Sequence, residues 1–461
     1  MLKPEELIID ITQIKESAEW HPKCCIYKVP KRLRDVKKEA YTPKLISIGP
    51  VHRDNDELKD MQTLKLRYFK EFFSRTCKGQ KEFASIVEKN EDMIRNCYAA
   101  DISLPEGEDF KKMFLLDSIF IIELFLRTFS TRKDESGIRI IQKDYILSKP
   151  WLKDGIRQDL ILLENQVPFF LLNDLYDQSL CTGIHKSFLT LACNYFFLSD
   201  KELSIDKDEE LTIENEVKHF TDLHRYFYHP PNHGTGDPID HLYSATKLDM
   251  AGLIFQKWEP QKLEEKSFEE KRCLLDIKIR KWEHMEICPC INCSWLMLCL
   301  PCLEKFSCLE RMQTRLVVPQ FVVDDGTEDL FRNLMALEQC HYPSEAYICN
   351  YILLLDFLIN SKEDVELLDD ERIFVNSLGS NEAVANMVNK LGHEIVETNS
   401  YYHAVAKDLN GHYKNCWNHN MASLKTVYFR NIWRGTATVV GVIVLLITFL
   451  NFLRPFVLKN I

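Results

Sequence analysis

Glycine is scarce in this chain, and its scarcity narrows the folds that the chain can adopt. Only 15 of the 461 residues are glycine, so few positions have the conformational freedom that tight turns need. This favours helices over a turn-rich sheet. The hydrophobic share of 46% and the charged share of 28% are those of a folded globular protein. We therefore predict a mainly α-helical fold with minor β content.

The chain also lacks an excess of positive charge. Its formal net charge is −11, whereas affinity for a phosphate backbone requires a basic surface. We therefore expect no nucleic-acid partner. A small basic patch is still compatible with this net charge.

The sequence lacks the motifs of several common enzyme classes. It has no Gly-x4-Gly-Lys-Ser/Thr phosphate loop, no dinucleotide-binding glycine fingerprint and no Gly-x-Ser-x-Gly nucleophile elbow. These absences argue against an enzyme without excluding an unfamiliar one. No catalytic residue and no cofactor is predicted.

No cleavable secretory signal is visible at the N-terminus. Glu5, Glu6 and Asp10 stand where such a signal needs an uncharged apolar run, and we expect residues 1–19 to form a flexible segment. The 16 cysteines are too irregularly spaced for a disulfide scaffold. Most are therefore expected to be reduced thiols that face the cytosol.

The longest apolar run lies at the C-terminus. Residues 435–453 carry no charge and stand between Arg434 and Arg454. A helix of this length measures roughly 28 Å, close to the roughly 30 Å hydrocarbon core of a bilayer. We predict a transmembrane helix at 435–453 with a short tail at 454–461; the alternative is a buried core helix. The lipid bilayer, of the plasma membrane or an endomembrane, then becomes a partner, with one domain at 20–430 in the cytosol.

Three apolar patterns predict helices inside that domain. Met61, Leu64, Tyr68 and Phe72 recur at helical spacing and predict an amphipathic helix. The run 113–126 is too short to span a bilayer comfortably and predicts a buried core helix. The run 160–176 contains Pro168, so two helices are expected to meet near Gln166.

Shorter signals mark a strand, loops and helix starts. Leu45 to Ile48 is a strand candidate, and the polar stretches 199–216 and 229–240 are expected to be loops or domain boundaries. Side-chain caps for three helix starts are predicted at Asp325, at Ser361 and at either Ser380 or Asn381.

A cysteine cluster is the sharpest local feature. Two Cys-x2-Cys pairs, at Cys290 with Cys293 and at Cys299 with Cys302, have the spacing of zinc ligands, but only five residues separate them. Because residues 291–303 are uncharged and apolar, a membrane-touching loop acylated at Cys299 and Cys302 is an alternative, and packed, unreactive thiols are a third. Acylation is the better supported of the two functional interpretations.

Buried acids and a histidine cluster are the other candidates for chemistry. Asp117 and Glu123 are separated by about 240° around one helix, so they need Glu164 from elsewhere to form a carboxylate pair. Such acids more often cross-link helices than act as general acids. Four histidines lie close together in the sequence, spaced by four or five residues, and are interpreted as a solvated face or loop: His219, His224, His229 and His233.

Several blocks together resemble the plant family called domain of unknown function 247. They are CIYKVPKRLR, AYTPKLISIGPVH, MFLLDSIFIIELF, DLILLENQVPFFLL, SATKLDMAGLIF, VPQFVVDDGTEDLFRNLMALEQC, LINSKEDVELL, NSLGSNEAV and ASLKTVYFRNIW. The resemblance implies a plant protein with a mostly helical fold and one C-terminal membrane helix. Some grass members are linked to pollen–stigma self-incompatibility, which suggests recognition or signalling. The family motif Gly-Pro-x-His-His-Gly is only partly kept, because Arg53 and Asp54 follow His52.

The expected function is that of a membrane-tethered protein-interaction or recognition component with unidentified protein partners. The alternative is a hydrolase-like enzyme that uses buried carboxylates or a cysteine-bound metal. The motif search favours the first class, because none of the familiar catalytic motifs is present.

Overall fold

The computed structural model describes residues 21–130, 144–179, 186–197, 207–228, 234–258, 275–281, 313–415, 418, 420 and 432–457. The chain divides into two compact units. The first unit comprises residues 1–227 and 329–343, and the second comprises residues 228–328 and 344–461. The boundary after Phe227 falls beside the polar stretch 229–240.

The first unit is helical. Two short 3₁₀ turns, Lys38–Tyr41 and Asp56–Leu58, accompany its helices. In chain order the helices are α1 (Lys31–Val36), α2 (Asp60–Arg75), α3 (Gln80–Lys89), α4 (Glu91–Arg95), α5 (Gly107–Ser130), α6 (Pro150–Asp159), α7 (Phe169–Ser179), α8 (Phe188–Phe196), α9 (Lys207–Glu216), α10 (Phe220–Phe227) and most of α12 (Thr327–His341).

Helix α5 forms the centre of the first unit. It packs against α2, α3, α7 and α8, and most of its side chains are buried. Phe125 lies among the rings of Phe188, Tyr195 and Phe220. Each buried apolar side chain of this size contributes roughly 1.5–3 kcal/mol. The prediction of a buried core helix at 113–126 is therefore confirmed, and the helix extends further at both ends.

Helix α2 confirms the amphipathic pattern with one exception. Tyr68 and Phe72 are buried as the spacing predicts. Lys65, whose charge indicates a solvent-facing position, is also buried, with 1% of its surface exposed. A lysine is buried at this level only when it is paired.

The strand predicted at Leu45 to Ile48 is absent, because this buried segment has no regular secondary structure. Side chains from another part of the chain accept hydrogen bonds from its backbone N–H groups. Asp159 accepts from Leu45 and Ile46, and Asn165 accepts from Ile48. A strand pairs these groups with a neighbouring backbone instead.

The run 160–176 is interrupted as Pro168 predicts, but the interruption is longer. Helix α6 ends at Asp159 and α7 begins at Phe169, so residues 160–168 form an irregular connection that contains Gln166. The polar stretch 199–216 departs from its prediction in its described part. Residues Lys207–Glu216 are helical rather than a loop.

The second unit combines helices with two small sheets. In the first sheet, β3 (Arg315–Val318) lies between the parallel strand β1 (Ile254–Lys257) and the antiparallel strand β2 (Lys278–Arg280). In the second sheet, β4 (Phe321–Val323) runs parallel to β5 (Phe374–Asn376). The helices are α11 (Ala245–Met250), α13 (Tyr347–Leu358), α14 (Lys362–Asp370), α15 (Asn381–Leu391), α16 (His403–Lys414) and α17 (Ile432–Val457).

The predicted helix starts are largely confirmed. The Ser361 side chain and Asp364 form a capping box at the start of α14, and the Ser380 hydroxyl accepts from the Ala383 N–H at the start of α15. The cap at Asp325 stays a prediction. In the turn before α12, the Asp324 carboxylate accepts from the Gly326 N–H and from the Thr327 hydroxyl.

The C-terminal helix α17 contains the segment predicted to cross a membrane. Among the described residues, no helix is both long and apolar enough to span a bilayer. This finding contradicts the transmembrane helix predicted at 435–453, and the fold class is corrected to a mainly helical protein with minor sheet.

Gly49 and Gly107 offer a matched test of the close packing around residues 44–49. Both have positive φ, +71° and +57°, but a Cβ on Gly49 would lie 2.6 Å from the Gln166 carbonyl oxygen, whereas a Cβ on Gly107 meets nothing within 4 Å. Gly107→Ala is expected to lower the free energy of unfolding by about 1–2 kcal/mol, and Gly49→Ala by about 3–5 kcal/mol. Urea unfolding measures both; equal losses would contradict the close approach.

Candidate functional site: buried polar networks of the first unit

Asp159 is the first of a group of polar residues in the irregular connection after α6. Its carboxylate accepts hydrogen bonds from the N–H groups of Lys44 (2.9 Å), Leu45 (2.7 Å) and Ile46 (2.8 Å). Burial raises the pKa of Asp159 even though these three donors oppose that change. The side chain therefore holds one turn of backbone in place.

Asn165 and Gln166 also hold buried backbone in place through side-chain hydrogen bonds. The Asn165 amide donates to the carbonyl oxygens of Ile46 (3.0 Å) and Asp159 (2.9 Å), while its oxygen accepts from the Ile48 N–H. The Gln166 amide donates to two carbonyl groups of its own turn, and its side-chain oxygen accepts from the Phe220 N–H at 2.9 Å. Both side chains satisfy backbone groups that no helix or sheet serves.

Glu164 joins this connection to the segment before α1. Its carboxylate accepts from the Val29 N–H at 2.7 Å, pairs with Arg34, and lies 3.2 Å from His52 Nε2. Burial alone would raise the pKa of Glu164, but the hydrogen bonds from His52 and Arg34, together with the Arg34 charge, outweigh it and lower the pKa. Glu164 is therefore held as a charged cross-link.

Asp117 forms a buried ion pair with Lys65. The Lys65 Nζ donates to Asp117 Oδ1 at 2.6 Å and also to the Ser47 carbonyl oxygen. The other carboxylate oxygen of Asp117 accepts from the Gly49 N–H at 2.9 Å. The pair thus fixes the irregular segment 44–49 between α2 and α5.

Arg127 is the centre of a second charged network. Its guanidinium donates to Glu123 (2.7 Å) and Asp144 (2.6 Å) and also pairs with Glu71. The Tyr68 hydroxyl donates to Asp144 at 2.7 Å, and the Arg127 guanidinium lies 4.3 Å from the centre of that ring. Burial raises the pKa of Glu123, which the charges of Arg75 and Arg127 counteract.

Asp117, Glu123 and Glu164 belong to three separate arrangements. Asp117 pairs with Lys65, Glu123 with Arg75 and Arg127, and Glu164 with Arg34 and His52. No two of these acids share a hydrogen-bond partner among the contacts given above. The structure therefore does not bring them together as the carboxylate pair that a general acid–base mechanism would use.

The interpretation of the histidines as a solvated face is wrong for the two that are described. His219 is fully buried; its Nε2 lies 3.0 Å from the Cys25 carbonyl oxygen, and its Nδ1 accepts from the Asp222 N–H. Burial lowers the pKa of His219 to about 4 and that of His224 to about 3. His229 and His233 lie outside the described residues.

The cysteine candidates cannot be placed in this structure. Cys290, Cys293, Cys299 and Cys302 lie outside the described residues, so both the zinc and the acylation hypotheses stay predictions. Within the described part of the chain, no group of three or more His, Cys, Asp or Glu side chains has the arrangement of a metal site.

Lys65, Arg127, Asp159 and Asn165 are the functional residues that the sequence predictions missed. One signal was present for the connection after α6. The polar triplet 164–166 interrupts two apolar runs, and buried polar side chains are retained where they have partners. Lys65 and Arg127 have no such local signal, because their partners lie on other elements.

Comparison with known proteins places the whole chain in one group. A family model described as plant protein of unknown function matches residues 26–447. UPF0481 protein At3g47200 of Arabidopsis thaliana is 28% identical over 93% of this chain and 85% of its own length. Putative UPF0481 protein At3g02645 of the same plant is 25% identical over 92% of this chain and 89% of its own length. No solved structure matches the chain.

The Lys65–Asp117 pair allows a double-mutant test. Lys65→Met or Asp117→Asn leaves one buried charge without its partner, so each single variant should lose about 3–5 kcal/mol of unfolding free energy. The double variant should lose clearly less than the sum of the two. Urea unfolding measures the three values. Lys70→Met, at an exposed position of the same helix, should change stability by less than about 0.5 kcal/mol. Strict additivity would show that the two side chains do not interact.

The buried His219 predicts a loss of stability in mild acid. The unfolded chain binds a proton at the ordinary pKa of 6.5, whereas the folded pKa is about 4. Between these values the unfolded state binds more protons, so the free energy of unfolding falls as the pH falls, by up to about 3 kcal/mol. His219→Gln should reduce this slope in urea unfolding from pH 7 to 4, while buried His224, whose pKa is also lowered, maintains part of it. His241→Gln, at an exposed position, is the control and should keep the wild-type slope; equal slopes in all three proteins would refute the assignment.

Proposed function

We propose that this chain, a member of the plant family domain of unknown function 247, is a protein-interaction component that binds an acidic segment of a partner protein. The family is described as having no known function, so the proposal is argued from the surface of this chain. The observation that carries the proposal is a basic segment, residues 23–44, in a protein of net charge −11. Eight lysines and arginines stand there against two acids.

The charges of the basic segment are largely at the surface. Lys23, Lys28, Lys31, Arg32 and Lys38 are exposed. Lys28 Nζ donates to the Asp101 carbonyl oxygen, which is a neutral acceptor, at 2.8 Å. Exposed ion pairs are each worth only about 0.2–1 kcal/mol, so recognition requires several of them together. A cluster of cations meets this requirement and also raises the rate of encounter with an anionic partner.

The backbone below these charges is fixed by buried contacts. Glu164 holds the Val29 N–H and Arg34, and Asp159 holds the N–H of Lys44. Asp329 on α12 accepts from Lys37 (3.1 Å) and Lys44 (2.9 Å). A pre-ordered surface loses less conformational entropy on binding than a flexible one, which supports a recognition function.

The buried acids give no comparable support to an enzyme. Every buried carboxyl side chain among the described residues has a hydrogen-bond or ion-pair partner within the protein, so its charge is already used in the fold. They are Asp117, Glu123, Asp144, Asp159, Glu164, Asp222, Asp276, Asp329, Glu338 and Asp364. We therefore favour binding over hydrolysis.

Charge reversal tests the proposal. The triple variant Lys31→Glu/Arg32→Glu/Lys38→Glu should weaken binding of a fluorescent glutamate-rich peptide by roughly tenfold or more, because three attractive contacts become repulsive. Fluorescence anisotropy of the full chain at two salt concentrations measures the affinity and its salt dependence.

The control reverses the same number of charges elsewhere on the first unit. Lys70→Glu/Lys81→Glu/Lys89→Glu changes exposed residues of α2 and α3 and should leave peptide affinity within about twofold of wild type. Equal weakening in both triple variants would reduce the effect to net charge and overturn the docking site. Binding to phosphatidylserine vesicles without binding to the peptide would overturn it in favour of a lipid headgroup surface.

A further inference from the structure

Cys25 and Cys97 are neighbours across a short pairing of two chain segments. Ile26 and Tyr98 form a parallel bridge, and the N–H groups of Cys25 and Ile26 both donate to the Cys97 carbonyl oxygen at 2.9 Å. The Ala99 N–H donates back to Ile26 at 3.0 Å. Cys25 and Cys97 are therefore joined directly through their backbones one residue before the bridge, with Cys97 in the turn that follows α4.

This register suits a disulfide. Disulfides bridge Cα separations of about 4.4–6.8 Å, and the direct backbone hydrogen bond between the Cys25 N–H and the Cys97 carbonyl oxygen holds the two residues at such short range. Both cysteines are free thiols in the structure, and the Cys97 thiol donates to the Met93 carbonyl oxygen at 3.3 Å. Formation of the disulfide requires the Cys97 side chain to leave the Met93 carbonyl oxygen and turn toward Cys25.

We propose that Cys25 and Cys97 form a reversible disulfide on exposure to a peroxide, so that the pair is a redox modification site. The proposal is independent of the docking of an acidic partner. It concerns two cysteines in a fixed register rather than a single reactive thiol.

The surroundings assign different functions to the two thiols. The Cys25 hydrogen bond, followed by the charges of Lys23 and Lys218, lowers the pKa of Cys97 against the effect of burial. The same hydrogen bond, with burial and the nearby charge of Asp222, raises the pKa of Cys25. Cys97 is therefore the thiolate that attacks, and Cys25 is the thiol that resolves the intermediate.

The reaction proceeds in two balanced steps. The Cys97 thiolate attacks one oxygen of hydrogen peroxide; an S–O bond forms, the O–O bond breaks, and hydroxide leaves as the sulfur is oxidised to sulfenic acid. The Cys25 sulfur then attacks the Cys97 sulfur, the S–O bond breaks, and the oxygen departs as water with the Cys25 proton. A dithiol reductant reverses the product by thiol–disulfide exchange.

Burial determines which oxidant can react. Cys25 and Cys97 expose only 3% and 5% of their surface, so a small peroxide is favoured over a bulky disulfide such as oxidised glutathione. Exposed Cys77 lies outside this pairing and serves as an internal measure of general oxidation. Cys24, the immediate neighbour of Cys25, is the competitor that the experiment must separate.

The experiment treats the folded full-length chain with hydrogen peroxide, alkylates remaining thiols, and identifies linked tryptic peptides by mass spectrometry. Wild type should give a link between peptides 24–28 and 96–111, with a mass about 2 Da below the sum of the two peptides when Cys24 alone is alkylated, and dithiothreitol should remove it. This measurement on wild type needs no variant to fold.

Three variants then assign the sulfur atoms. Cys24→Ser should keep the link, and Cys97→Ser should lose it. Cys25→Ser should lose the link and leave Cys97 as a sulfenic acid that dimedone traps. Survival of the link in Cys25→Ser would assign it to Cys24 and overturn the proposal. Absence of any link in wild type, under conditions that fully oxidise Cys77, would overturn it as well.

Discussion

The first unit depends on one constraint: a buried stretch of irregular backbone has to satisfy its own hydrogen-bonding groups. Residues 44–49 pass through the interior without joining a sheet, and an unpaired buried N–H costs about as much as a lost hydrogen bond. Asp159 and Asn165 supply the acceptors, and the Lys65–Asp117 pair supplies both a donor and an acceptor. Because these polar groups are themselves buried, each is costly unless all of its contacts are present. The irregular segment and the polar side chains therefore stabilise each other and would be lost together.

This mutual dependence explains why the polar residues in the sequence blocks that resemble the family do not form a catalytic site: they are used to hold the backbone. A general acid needs a carboxyl group that can exchange its proton with a substrate, whereas the Glu164 and Asp159 side chains are both occupied by buried backbone N–H groups. The same motifs that identify the family thus encode its internal architecture. Functional differences in such a protein are expected at its surface, where substitution does not break the interior network.

The parts of the fold that sequence reasoning predicted are those that depend on near neighbours. The spacing of Tyr68 and Phe72, the apolar run of α5 and the caps at Ser361 and Ser380 act within one helix, and all are seen in the structure. The strand expected at Leu45 to Ile48 failed because its hydrogen-bond partner, Asp159, lies more than a hundred residues away. Burial of Lys65 and His219 was missed for the same reason: a charged or titratable residue looks exposed until its distant partner is known. The run 435–453 is helical, as its composition predicts. The prediction that it spans a membrane is wrong, since no described helix is both long and apolar enough to cross a bilayer.

Glu164 shows how the interior and the surface of the first unit are connected. It neutralises Arg34 and receives the Val29 N–H, so one buried carboxylate orders the chain on both sides of the turn that leads into α1. It compensates only one of the cations in the basic segment, and Asp329 accounts for Lys37 and Lys44. The interior acids thus fix the backbone of this segment while leaving most of its positive charge at the surface. A fold that needed only stability would gain little from a row of like charges, since they repel one another. The proposed acidic partner would offset this repulsion, and the ordered backbone would lower the entropy that binding costs.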